Sequence, residues 1–134
     1  MANGESILIT EQDYERLALL IMHSNGPNVS VLEEELARAE VVNQKEIPNN
    51  VVTMNSVVTF VSKETGKETE IKLVYPKDAD VTKGHVSVLA PVGIALIGLK
   101  VGQSIDWPMP NGQPRQLQVT GIKYQPEAEG DWEL

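Results

Sequence analysis

Along the first forty positions of the chain the apolar residues recur with the period of a helix, and beyond residue 50 with that of a strand. In I-L-I-T-E-Q-D-Y-E-R-L-A-L-L-I-M-H, Tyr14, Leu17, Ala18 and Ile21 fall at helical spacing. Thr10 is the N-cap candidate, followed by acidic residues in the first turn, so the pattern predicts a helix from Glu11 to His23. The stretch S-N-G-P after His23 stops it, because Gly26 can turn left-handed and Pro27 cannot continue a helix. Ser30 and Glu33 then form a capping-box pattern, and Leu32, Leu36 and Ala39 make the seam of a second helix. Two helices of roughly thirteen residues joined by a short turn predict an antiparallel hairpin with arms of about 20 Å.

The helical period ends in N-Q-K-E-I-P-N-N, Asn43 to Asn50, where Pro48 and its asparagines favour extended or turning chain. The division expected is a short helical hairpin over 1–47, a truncated coiled coil, and a second domain over 48–134. Alternation then predicts strands at Val57 to Val61, Glu68 to Tyr75, Val86 to Leu89, Ser104 to Met109 and Arg115 to Tyr124. Asn111-Gly112 is a hairpin signal between the last two. A short helix from Val92 to Leu96 or Ile97, ended by Gly98, interrupts them, so the body is expected to be antiparallel α+β.

Composition narrows the chemistry. Only 4% of the 134 residues are aromatic against 41% hydrophobic, so the core must be aliphatic. The absence of cysteine removes disulfides and thiolate chemistry and fits a reducing, cytoplasmic setting. The start M-A-N-G-E-S has neither a basic nor an apolar signal region. The uncharged run from Val86 to Leu99 falls short of the roughly 20 residues that span a bilayer. Net charge is −8, with acids concentrated before residue 51 and after residue 124, a distribution unsuited to wrapping a nucleic-acid backbone.

No catalytic, cofactor or metal constellation appears. His23 ends a predicted helix and His85 sits in a turn before a strand, neither at metal-ligand spacing from other donors. No nucleophile elbow is present, and G-I-A-L-I-G-L-K-V-G lacks the spacing of a phosphate loop. Glu33, Glu34 and Glu35 point in different directions on a helix and read as a solvated face. The tail acids Glu127, Glu129, Asp131 and Glu133 read as a frayed terminus, with Trp132 alternatively docking on the sheet or a partner.

Taken in order, V-T-M-N-S-V-V-T-F, T-G-K-E-T-E-I-K-L-V-Y-P, S-V-L-A-P-V-G-I-A-L-I-G-L-K-V-G-Q-S-I-D-W and I-K-Y-Q-P-E-A-E-G-D-W resemble the C-terminal domain of the GreA/GreB transcript-cleavage factors over about residues 51–124. The short hairpin, the entry Asn50 to Ser56, A-P-V-G at Ala90 to Gly93 and Y-Q-P-E-A at Tyr124 to Ala128 further resemble the branch of bacterial regulators of nucleoside diphosphate kinase, across essentially the whole chain. The resemblance implies an FKBP-like antiparallel sheet around a short helix, and a cytoplasmic bacterial regulator that binds RNA polymerase near its secondary channel. It implies docking through the corner Val88, Leu89, Ala90, Pro91, Val92 and Gly93, with Ala90 in place of the family's polar residue making the contact less polar.

In that family a carboxylate pair at the tip of a long coiled coil helps hold a catalytic metal. The tip here, Ser24, Asn25, Gly26, Pro27 and Asn28, has no carboxylate and so offers no charged ligand for Mg²⁺. The expectation is a monomer that competes with cleavage factors without stimulating cleavage and influences nucleoside diphosphate kinase expression, with no cofactor, no membrane and no direct nucleic-acid contact. Two alternatives stand beside it. One is a peptidyl-prolyl isomerase, which needs an aromatic-lined pocket from among Phe60, Tyr75, Trp107 and Tyr124. The other is an adaptor whose acidic hairpin binds a basic partner.

Overall fold

The computed structural model describes residues 7–108 and 114–131. A three-residue strand, β1 (Leu8–Thr10), leads directly into α1 (Glu11–Met22), because the Thr10 hydroxyl accepts the Asp13 N–H at 3.0 Å and satisfies a helix-start donor. α2 (Pro27–Ala37) begins three residues before the expected Ser30 cap. Gly26, at φ 115°, turns the chain, and Pro27 supplies a helical φ at the position whose N–H would be unused anyway. Ser30 and Glu33 therefore lie inside the helix and form no capping box. The arms have 12 and 11 residues, or about 18 and 16 Å at 1.5 Å per residue.

At the open end of the hairpin β2 (Glu40–Val42) pairs in parallel with β1, a contact that two three-residue segments are too short to announce by alternation. The Glu40 N–H also donates to the Ile7 carbonyl at 2.8 Å.

The body comprises β3 (Val57–Ser62), β4 (Glu68–Val74), β5 (His85–Ser87), α3 (Pro91–Leu96), β6 (Ser104–Pro108) and β7 (Pro114–Tyr124). Along β3, Val58, Phe60 and Ser62 are buried while the residues between are half-buried, the period-two pattern of a sheet with one face on a core. The strand order is β5-β4-β3-β7-β6, and β3, β4, β7 and β6 pair antiparallel. The expectation of a purely antiparallel body fails at β5, which runs parallel to β4. Between them, two 3-10 turns, Pro76–Asp78 and Val81–Lys83, carry the chain back so that His85 stands beside Lys72 and the new strand follows the old direction. The hairpin signal at Asn111-Gly112 lies outside the described residues.

One hydrophobic core runs through both parts. Leu17 and Leu32 from the hairpin, each fully buried, belong to the same cluster as Val58 and Leu73 from the sheet and Leu96 from α3. No helix among the described residues is long and apolar enough to cross a membrane.

Gly93 is the tightest joint in this packing. A Cβ added there would stand 2.3 Å from the Ser87 carbonyl oxygen, closer than any non-bonded contact allows, and the neighbour is backbone that cannot rotate away. Gly93→Ala is expected to lower the unfolding free energy by about 3 kcal/mol, the upper end of overpacking costs. Urea unfolding of the two proteins measures it.

Candidate functional site

The turn between β5 and α3 is stiffly built. The Ser87 hydroxyl accepts the Leu89 N–H at 3.0 Å, the Ser87 carbonyl accepts the Ala90 N–H at 3.0 Å, and the Val88 N–H reaches back to Val74 at 2.8 Å. Ala90, extended at ψ 149°, caps α3, and Pro91 is preset at the first helical position. These bonds present Pro91 to solvent with Leu89, Ala90 and Val92 half-exposed around it. Of the six corner residues expected to contact a partner, two are corrected. Val88 is fully buried in the core, and Gly93 is buried against Ser87, so both support the corner from beneath and offer it no surface.

At the hairpin tip Asn25, Gly26, Pro27 and Asn28 are exposed and Ser24 is half-buried. The Asn28 side-chain amide donates to the Leu89 carbonyl at 3.0 Å, across 61 residues of sequence. The finger does not stand free of the body: its tip lies against the proline corner, and two segments identified separately form one surface.

Around the first turn of α1 three parts of the chain meet in a buried polar node. Asp13 of α1 accepts the Met54 N–H at 3.1 Å, and Glu127 accepts the Thr53 hydroxyl at 2.8 Å. Thr53 is braced by Ser56, whose hydroxyl lies 2.8 Å from its own and accepts its N–H at 3.0 Å. Burial is the main reason the Asp13 carboxyl is pushed up from 3.8 to about 7, with the nearby Glu127 charge adding to the rise. The Met54 N–H and Arg16 act the other way. Tyr75 lies beside Asp13, Arg16 and Glu127, and burial pushes its phenol above the usual range. The frayed acidic tail expected from sequence is thus corrected at its first acid: Glu127 is buried, while Glu129 and Asp131 are exposed. Just before it the Gln125 amide donates to the Pro48 and Val51 carbonyls at 2.9 and 2.8 Å, and the Tyr124 hydroxyl donates to Asp131. Trp132 lies outside the described residues.

A cleft of about 750 Å³ opens beside this node, with Arg16, Leu19, Leu20 and His23 on one wall. Facing them are Asn55, held at φ 67°, and the Tyr75–Asp78 turn. His23 is thus the C-cap of α1 and a wall of this cleft, while His85 opens β5 and does not sit in a turn. No group of three or more metal-ligating side chains occurs among the described residues. Sequence reasoning missed the cleft, the Asn28 contact and the Asp13 node. Only Asp13 left a trace, as one of two acids in the first turn of α1, and that trace pointed to the helix dipole.

Comparison with known proteins gives two family matches: transcription elongation factor, GreA/GreB, C-term, over residues 47–124, and Rnk N-terminus over residues 5–42. The regulator of nucleoside diphosphate kinase of Escherichia coli (strain K12) is 41% identical over 132 residues, covering 96% of this chain and 97% of that protein. Transcription elongation factor GreA of Beijerinckia indica is 32% identical over 101 residues, 75% of this chain and 64% of the factor. Among solved structures, a prokaryotic transcription elongation factor GreA/GreB from Nitrosomonas europaea superposes with a TM-score of 0.76 at 45% identity, over 90% of this chain and 100% of that one. The transcription factor Gfh1 shares the fold at a TM-score of 0.52 and 22% identity, over 92% of this chain and 100% of its own.

Proposed function

This chain belongs to the GreA/GreB transcription elongation factor family, and from that premise we propose that it is a non-catalytic regulator that binds RNA polymerase near the secondary channel. In this reading it competes there with cleavage factors and stimulates no cleavage. The observation that carries the reading is the corner itself: an exposed Pro91, flanked by half-exposed Leu89, Ala90 and Val92 and fixed by hydrogen bonds on both sides. A small, preformed apolar surface loses little entropy on binding, which suits a contact with a protein. The tip carries no carboxylate to hold a second metal ion, and its bond to Leu89 keeps it beside the corner. The kinship with the regulator of nucleoside diphosphate kinase supports an influence on expression of that enzyme.

The test is competition with a cleavage factor for core RNA polymerase. Wild-type protein is expected to displace the factor and to leave a backtracked complex uncleaved. Pro91→Asp places a charge in the apolar contact and should weaken binding at least about tenfold. Since Pro91 is exposed at the first turn of α3, the same change should leave stability within about 0.5 kcal/mol. Undiminished binding by Pro91→Asp would remove the corner from the interface. An isomerase reading finds less support, because Phe60 is in the core, Tyr124 is bonded to Asp131, and among the described side chains Tyr75 is the one aromatic that lines the cleft.

A further inference from the structure

The cleft between α1 and the Tyr75–Asp78 turn takes no part in docking through the proline corner, yet its chemistry is that of a binding surface. Leu19 is 56% exposed on its wall, and Met22, one helical turn on, is 74% exposed, so the apolar surface continues past the cleft along α1. Arg16 and Lys77 line the cleft with one acid, Asp78, while Asp13 lies behind Arg16 in the buried node; the net charge of the chain is −8, and His23 stands at the same wall. Two cations against one lining acid give the cleft a local positive balance that the chain as a whole lacks. Arg16 is held beside Asp13 and Tyr75 and so is positioned before any partner arrives.

The openness of the cleft separates two kinds of occupant. A metabolite pocket buries roughly 70–90% of its ligand. Here Leu19, His23, Lys77 and Asp78 are all exposed, leaving one side of any occupant uncovered, as happens when the occupant is a segment of a larger molecule. We propose that this cleft docks a short acidic segment of a protein partner, with one large apolar side chain seated against Leu19 and Leu20 and a carboxylate facing Lys77 and Arg16. The partner reads the arrangement as an apolar anchor beside a charge, the combination that fixes both affinity and register in peptide grooves.

The experiment titrates the isotope-labelled full chain, followed by its amide spectrum, with a capped peptide of four glutamates around a central leucine. Two control probes are the same peptide with glutamines and inorganic phosphate alone. Saturable shifts are expected at Leu19, His23, Asn55 and Lys77 with the glutamate peptide, and weaker binding with the glutamine one. Lys77→Glu, at an exposed position, should weaken the acidic peptide about five- to tenfold. Leu19→Ala, also exposed, should weaken it about threefold or more through the lost apolar contact. Pro91→Asp should leave the titration unchanged, so that loss of polymerase binding and loss of this groove are read separately. Absence of shifts at millimolar peptide, equal binding of both peptides, or the same shifts from phosphate alone would each overturn the proposal.

Discussion

Replacing Asp13 with asparagine is expected to stabilise the protein at pH 8 and to destabilise it by about 2 kcal/mol at pH 4, where the aspartate is protonated and only the cost of seating the amide remains. Asp13 is 4% exposed, and its carboxyl titrates near 7 in the folded chain against 3.8 when free. An acid whose folded value is raised favours the native state in its protonated form. That contribution is complete below pH 3.8 and is lost as the pH rises through about 7. A shift of this size corresponds to about 4 kcal/mol between the two ends of the window. Asparagine keeps an oxygen to accept the Met54 N–H but carries no charge, so it avoids most of this loss and leaves an amide group to be accommodated. The expected gain at pH 8 is therefore about 2 kcal/mol. Chemical denaturation of both proteins at half-unit steps from pH 4 to 8 measures the difference, which isolates Asp13 from every other titrating group. The groups facing it are Glu127, Arg16 and Tyr75. Glu127→Gln, which removes a neighbouring negative charge, should lower the upper end of the pH window. Parallel stability curves for wild type and Asp13→Asn across that range would show that the carboxyl ionises as freely as one in water.

Features that repeat locally were legible in the sequence, and features that depend on distant pairing were not. The Thr10 cap, the Gly26-Pro27 break and the alternation of β3 each follow from a few adjacent residues whose propensities agree. The placement of α3 between Pro91 and Leu96 follows from Pro91, which presets the first helical turn, and Gly98, which at φ 80° cannot continue it. By contrast, β1 and β2 are three residues each and meet only because the hairpin returns the chain to its start. The direction of β5 was set by the two 3-10 turns after Tyr75, where the proline and glycine signals give a reversal of chain without saying how complete it is. Asn28 and Leu89 are both unremarkable in sequence, and their hydrogen bond exists because the hairpin packs on α3 and not away from it. The corner was legible as a turn but not in its division of labour. Nothing local distinguishes the buried Val88 from the half-exposed Leu89, since which faces the core depends on β5 pairing with β4.

Leu32→Ala, in the middle of α2, is expected to cost about 3–5 kcal/mol and to lower one unfolding transition seen equally by hairpin and body. A boundary near residue 47 follows from the change of period, and we propose that it separates two structural motifs and not two folding units. Leu32 is fully buried, as is Leu17 opposite it, and both lie in the cluster that contains Val58, Leu73 and Leu96. A hairpin with arms of 12 and 11 residues is too short to hold itself in water, because isolated helices below about 12–15 residues are marginal. It is held instead by the apolar face it places on the body and by bonds across the junction. The Met54 N–H donates to Asp13 at 3.1 Å, the Leu8 N–H to the Gly98 carbonyl at 3.2 Å and the Asn28 amide to Leu89 at 3.0 Å. The body depends on the hairpin in return, since removing it would uncover the side of the core that Leu17, Leu32 and Leu36 close. Helix signal by circular dichroism and the folded amide resonances of β3 and β4 should therefore fall together in urea, for wild type and variant alike. Separate midpoints, with only the helix signal displaced by Leu32→Ala, would mean that the hairpin unfolds by itself. In that case it could leave the proline corner while the sheet stays intact, and the bond between Asn28 and Leu89 would act as a latch and not as part of a fixed surface.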